Sequence, residues 1–137
     1  MDQYSEEMLR VANILLESIG KSLKLNKLID NFKGGLQTVR INYYPPCPQA
    51  SKVMGLSPHS DAVGLSVLLQ VNDVQGLQIK KNGAWLSIKP LPNAFIINLG
   101  DIIEVKLNSQ VSTNITFIQL SITAIYIYID FLLYSDR

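Results

Sequence analysis

The chain has one cysteine and one histidine among its 137 residues, and each scarcity excludes something. Cys47 cannot form an internal disulfide, which fits a reducing, cytoplasmic compartment. The formal net charge is only +1 and no basic run occurs, so the pattern expected for nucleic acid or an acidic surface as partner is missing. The opening residues, Met1-Asp2-Gln3-Tyr4-Ser5-Glu6-Glu7, are acidic and polar, the opposite of a signal or transit peptide. At 137 residues the chain is one domain at most, large enough for a hydrophobic core. None of this distinguishes an enzyme from any other domain, and oligomeric state is not readable.

What is present has a clear order. Residues 5–23 read as an amphipathic helix, with Ser5 as N-cap, Glu6 and Glu7 in the first turn, and Leu9, Ala12, Leu16, Ile19 and Leu23 at helical spacing. That stripe is expected to pack on a core. After Gly34-Gly35 the period changes to two: over 37–44, Val39, Ile41 and Tyr43 share one face, while Arg40, Asn42 and Tyr44 share the other. A strand lining a polar cavity has this pattern, and Tyr43 is then expected to pack into the scaffold. Pro45-Pro46-Cys47-Pro48 ends the strand, because proline donates no ladder hydrogen bond and restricts the residue before it. The apolar run 65–71 suits a buried strand. Segments 77–80 and 85–89 flank Asn82-Gly83, a hairpin signal, and 95–99 is a further strand ending at Gly100-Asp101. Short strands with punctuating turns behind one helix predict an antiparallel barrel or sandwich with helical support.

From 108 onward the composition changes to an isoleucine-rich tail. Gln119 and Asp130 interrupt it, and an aspartate near the centre of a membrane helix costs about 2.5–3.5 kcal/mol. The tail is therefore expected to be a β-prone, poorly accommodated segment and an aggregation hazard rather than a membrane span.

The residues that point to chemistry are His59-Ser60-Asp61. Non-haem Fe(II) oxygenases hold their metal with two histidines and one carboxylate on one face, leaving the opposite positions open. In an extended strand, residues i and i+2 point the same way, so His59 and Asp61 would project together as two of those three ligands. No second histidine exists to close the set.

The run Arg40-Ile41-Asn42-Tyr43-Tyr44-Pro45-Pro46-Cys47-Pro48-Gln49, then Gly55-Leu56-Ser57-Pro58-His59-Ser60-Asp61, resembles the plant 2-oxoglutarate- and Fe(II)-dependent dioxygenases of the isopenicillin N synthase-like fold. The likeness continues through Gly64-Leu65, Gly76-Leu77-Gln78, Trp85, Lys89-Pro90-Leu91-Pro92-Asn93-Ala94 and Asn98-Leu99-Gly100-Asp101, covering roughly 4–105. Its wording is most similar to the branch of codeine-demethylase-like, norcoclaurine-synthase-like and senescence-related enzymes.

That resemblance implies an α+β, mainly β fold: a partial double-stranded β-helix, or jelly roll, preceded by a long amphipathic helix. It divides the chain into helical support (1–35), a partial jelly-roll core (36–107) and a non-family apolar tail (108–137). It implies His59 and Asp61 as metal ligands, Asn42 and Tyr44 as 2-oxoglutarate contacts, and Fe(II) and 2-oxoglutarate as cofactor and cosubstrate, with ascorbate supporting. The implied reaction is oxidation of a small organic, specialised-metabolite substrate by O2, releasing succinate and CO2.

The sequence departs from the pattern in lacking the second histidine and the Arg-x-Ser clamp for 2-oxoglutarate, since the only arginine after Arg40 is Arg137. Such a chain reads as C-terminally truncated or misread, and its enzyme activity is left open by the sequence. The alternatives are a catalytically inactive remnant or interaction fragment, or, third, membrane attachment through the tail.

Overall fold

A computed structural model describes residues 2–25, 28–106, 116–119 and 124–131. Helix α1 (Asp2–Ser22) is followed by strands β1 (Gln37–Tyr44), β2 (Leu56–His59), β3 (Leu65–Gln70), β4 (Leu77–Lys81), β5 (Ala84–Ser87) and β6 (Phe95–Leu99). Helix α2 (Asp101–Lys106) and strands β7 (Thr116–Gln119) and β8 (Ala124–Phe131) complete the order.

The long helix begins three residues before Ser5, with Asp2 rather than Glu6 in its first turn. Its buried stripe is Met8, Ala12, Leu16 and Gly20, spaced by four, whereas Leu9 is exposed. The helix stops in a Schellman-type turn: Lys24 takes φ +55° and the Leu25 N–H donates to the Gly20 carbonyl at 2.8 Å.

Among the described residues, eight antiparallel strands form two four-stranded sheets, ordered β1-β8-β3-β6 and β2-β7-β4-β5. This is the mainly β jelly roll behind a helix that the sequence predicts. Pro58 is tolerated in β2 because β2 is an edge strand, and the pairing to β7 shifts register across it. The β4–β5 hairpin turns on Asn82 and Gly83, both at positive φ (52° and 80°), as a two-residue type I′ loop requires.

The described part of the tail is β-strand, as its composition predicts, but 124–131 is not poorly accommodated: β8 runs between β1 and β3 and pairs with both, while β7 lies between β2 and β4. Its β-branched residues suit a strand buried on both edges. The expected boundary at 107/108 lies outside the described residues, as do 108–115, 120–123 and 132–137 of the tail. Among the described residues no helix is long and apolar enough to cross a membrane.

Two apolar clusters stabilise the sheets. The larger packs Met8, Ala12, Leu16, Leu28 and Phe32 against Leu65, Val67, Ile129 and Phe131 on the outer face of the first sheet. The smaller joins Leu68 and Leu77, with Tyr44, Ile79, Ile88 and Ile96, between the sheets. Period-two alternation therefore assigns the faces: Val39, Leu65, Val67 and Ile129 point out to the helix, and Tyr44, Ser66, Leu68 and Asn98 point in. Tyr43 does lie opposite the inner face, but it does not pack into the scaffold. It is 59% exposed, beside Ile41 at 62%, on the part of the outer face that α1 leaves bare.

The inner face carries a buried charge. Asp130 is 7% exposed; its Oδ1 accepts from the fully buried Ser66 hydroxyl at 2.8 Å, and its Oδ2 accepts from Arg40 Nη2 at 3.3 Å. The carboxylate thus ties all three neighbouring strands, β1, β8 and β3. Removing it strands the buried Ser66 donor, so Asp130→Ala should lower unfolding stability by about 1–3 kcal/mol. Asp130→Asn keeps an acceptor for Ser66 and loses only the ion pair to the half-exposed Arg40, which is worth about 0–1 kcal/mol. Urea unfolding of the two variants checks this; equal losses would refute the account.

Candidate metal centre

Strand β2 ends at His59, and Asp61 lies beyond it in the loop leading to β3. The pleat of one strand, the basis for pairing them in the sequence, therefore does not explain their convergence. They converge nonetheless: His59 Nε2 and Asp61 Oδ1 are 3.6 Å apart. The loop is held by backbone bonds from the segment after β6. Asp101 N–H donates to the Asp61 carbonyl at 2.9 Å, Gly100 N–H to Gly64 at 2.9 Å, and Ile102 N–H to Val63 at 3.3 Å. From the other side, Gly64 N–H donates to the Phe131 carbonyl at 2.9 Å.

The histidine tautomer follows from its partner. His59 Nδ1 lies 2.9 Å from the Ser57 carbonyl oxygen. A carbonyl only accepts, so Nδ1 carries the proton and the lone pair of the neutral ring is on Nε2. Nε2 and the carboxylate Oδ1 then face each other as two acceptors, an arrangement relieved by a proton on Nε2 or by a cation between them. Nitrogen and oxygen donors about 2.0–2.2 Å from one metal ion, at right angles, lie about 3 Å apart, so the pair needs to close by only about half an ångström. The side chain of Asp61 is 8% exposed and that of His59 33%, which leaves one side of the pair open. These two donors fit adjacent positions of a first-row metal ion.

Among the described residues no third protein donor joins the pair. The sequence has one histidine, and among the described residues no group of three His, Cys, Asp or Glu side chains could hold a metal. Across the β2–β7 ladder, the residue in register with His59 is Phe117.

Asn42 and Tyr44 lie together on the inner face of β1, both half-buried, and their side chains hydrogen-bond. A polar track lies between this pair and His59 and Asp61. Asn98 Nδ2 donates a long hydrogen bond, 3.4 Å, to Asp61 Oδ2, and Asn98 is the cross-strand neighbour of Ser66. Ser66 leads to Asp130 and Asp130 to Arg40, whose charge is felt at Tyr44. Arg40, which shares the Asn42 face, meets a carboxylate there, that of Asp130. Asn98, Ser66 and Asp130 are the residues missed by sequence reasoning. Their signal was a lone polar side chain at an inward position of an otherwise apolar strand.

A jelly roll presenting an imidazole and a carboxylate side by side is an arrangement found in the class of non-haem metal oxygenases. The profile of the 2OG-Fe(II) oxygenase superfamily matches residues 35–115, and the chain belongs to this family. It is 53% identical over 113 residues to Protein SRG1 of Arabidopsis thaliana and 50% identical over 111 residues to codeine O-demethylase of Papaver somniferum. Each match covers 79% of this chain but 31% of the relative, so the chain spans about a third of the length of these proteins. The crystal structure of JOX2 in complex with 2OG, Fe and JA superposes with a TM-score of 0.86 at 33% identity, covering 98% of this chain and 42% of that one.

Burial pushes the Tyr44 phenol above its usual value of 10.0, with the Asn42 hydrogen bond and the Arg40 charge pulling part of the way back. A raised folded-state value means the folded protein keeps a proton that the unfolded chain releases. The stability linked to that proton is fully present below the unfolded value and is lost as pH rises through the folded one. A difference titration of tyrosinate absorbance between wild type and Tyr44→Phe should isolate one phenol ionising above pH 10. The variant should also lose less stability on going alkaline; a phenol ionising below that value would contradict the burial argument.

Proposed function

We propose that the chain carries part of the site of an Fe(II)- and 2-oxoglutarate-dependent oxidoreductase that oxidises a small organic, specialised-metabolite substrate with O2, releasing succinate and CO2. The observation that carries this reading is the His59–Asp61 pair, 3.6 Å apart, with Nδ1 engaged by the Ser57 carbonyl. Likeness to codeine O-demethylase supports a small organic substrate. The single cysteine supports a cytoplasmic setting.

When bound, Fe(II) with 2-oxoglutarate supplies the redox chemistry, and the side chains bind and orient. His59 would offer Nε2 to the metal, since Nδ1 is engaged by the Ser57 carbonyl. Asp61 presents Oδ1 while Oδ2 is taken by Asn98. Asn42 and Tyr44 offer an amide and a phenol that stays protonated at neutral pH, so Tyr44 can donate a hydrogen bond to a 2-oxoglutarate carboxylate. Arg40 shares their face but is engaged by Asp130.

A second reading is favoured by two observations: one histidine in the sequence, and an inner-face arginine already paired with a carboxylate. Under it the chain is a catalytically inactive remnant or interaction fragment that keeps the metal-binding pair. Anaerobic Fe(II) titration and succinate assay separate the two. The first reading expects Fe(II)-dependent succinate release from 2-oxoglutarate, abolished in His59→Ala. Iron binding without turnover selects the second. Absence of any His59-dependent iron binding removes both.

A further inference from the structure

The residues that touch the metal pair from behind form a unit. Segment 98–102 closes over loop 60–64 through the three backbone bonds described above, and two side chains reach further. Asp101 Oδ2 accepts from the Ser60 hydroxyl at 2.8 Å, and Ser60 is the residue between His59 and Asp61. Asn98, 4% exposed, donates to Asp61 Oδ2. Gly100, at the centre, admits no side chain: an added Cβ would lie 2.8 Å from the Asp61 carbonyl oxygen and closer still to Val63. The close approach needs glycine there.

We propose that the segment 98–102 is a positioning clasp for the metal pair, in which Asp101 acts through Ser60 and Asn98 acts on Asp61. The inner arm selects which carboxylate oxygen faces His59. With Oδ2 held by the Asn98 amide, rotation of the carboxylate is restrained and Oδ1 is the one left 3.6 Å from Nε2. The outer arm fixes the backbone. Asp101 grips the loop twice, through its N–H to the Asp61 carbonyl and through its carboxylate to the Ser60 hydroxyl, on consecutive residues. Since β2 stops at His59, no ladder bond among the described residues holds 60 and 61, and the clasp holds them instead. Neither Asn98 nor Asp101 touches the metal position as a ligand in this account. Each orients a ligand, the role whose loss typically costs 10–100-fold in metal affinity.

This inference rests on the metal-binding reading of His59 and Asp61, and the test distinguishes the two. Mn(II) alone serves as probe, its free concentration read from its paramagnetic resonance signal, on the full chain. The apo-protein unfolding midpoint is recorded beside it. Ser60→Ala, Asp101→Ala and Asn98→Ala should each weaken Mn(II) binding by about 10–100-fold. Asp101→Asn, which keeps an oxygen acceptor for the Ser60 hydroxyl and the same backbone N–H, should stay within about twofold of wild type. Ser60→Ala combined with Asp101→Ala should be no weaker than the worse single variant, because both remove one hydrogen bond. A general structural loss would instead lower affinity in step with the unfolding midpoint and would not be rescued by Asp101→Asn; that pattern overturns the clasp. So does affinity unchanged in all three alanine variants while His59→Ala abolishes binding. Mn(II) binding indifferent to His59→Ala overturns the metal reading itself, and the clasp with it.

Discussion

Strand β8 is the constraint on which the arrangement depends. It pairs along its whole length with β1, from Gln37↔Phe131 to Tyr44↔Ala124, and on its other edge with β3 from Leu65↔Phe131 to Gln70↔Tyr126. Without it, β1 and β3 have no common neighbour, and the first sheet divides into a lone strand and a β3–β6 pair. Asn42 and Tyr44 are on one side of that division; Ser66 and Asn98 are on the other. Backbone pairing through β8, reinforced by the Asp130 carboxylate, is what makes them one surface. Its outward residues Ile129 and Phe131 also meet the α1 stripe, so the same strand anchors the helix.

The inner surface so formed is unusual in being polar along a line. A buried carboxylate would be costly alone, but Asp130 accepts from a hydroxyl and an arginine, which offsets its desolvation. Asn98 answers Asp61 in the same way at the other end. Among the described residues apolar contact between the sheets is correspondingly small, and their main core is on the outer side, under the helix. The fold thus stabilises itself on one face of the first sheet and keeps the other face for polar groups. Such a division suits a family that binds a metal and a dicarboxylate inside its barrel.

Much of this was legible residue by residue. Alternation in 37–44 put Asn42 and Tyr44 on one face, and they do hydrogen-bond there. Asn82-Gly83 announced its hairpin because both positions require positive φ. The apolar run at 65 became the buried strand β3. The amphipathic stripe was right in period but shifted at its start, since Met8 rather than Leu9 is on the buried line. For 124–131 the expectation of β propensity held and that of poor accommodation did not, for a physical reason. Isoleucine-rich composition signals β propensity without saying whether a groove exists to receive the strand, and the gap between β1 and β3 is visible only in the assembled sheet.

The sequence alone determined the donor chemistry: one imidazole, one carboxylate two residues on, and no second histidine to join them. It also determined the periods, turns and stops that make a helix followed by short strands, because these depend on local sterics and hydrogen bonding. Tertiary structure alone decided how the two donors come to face each other. The pleat that would have aligned them ends at His59, so their convergence depends on Asn98, Gly100 and Asp101, some forty residues later in the chain. Contacts between segments so far apart follow from how sheets close on one another, and no local pattern encodes that.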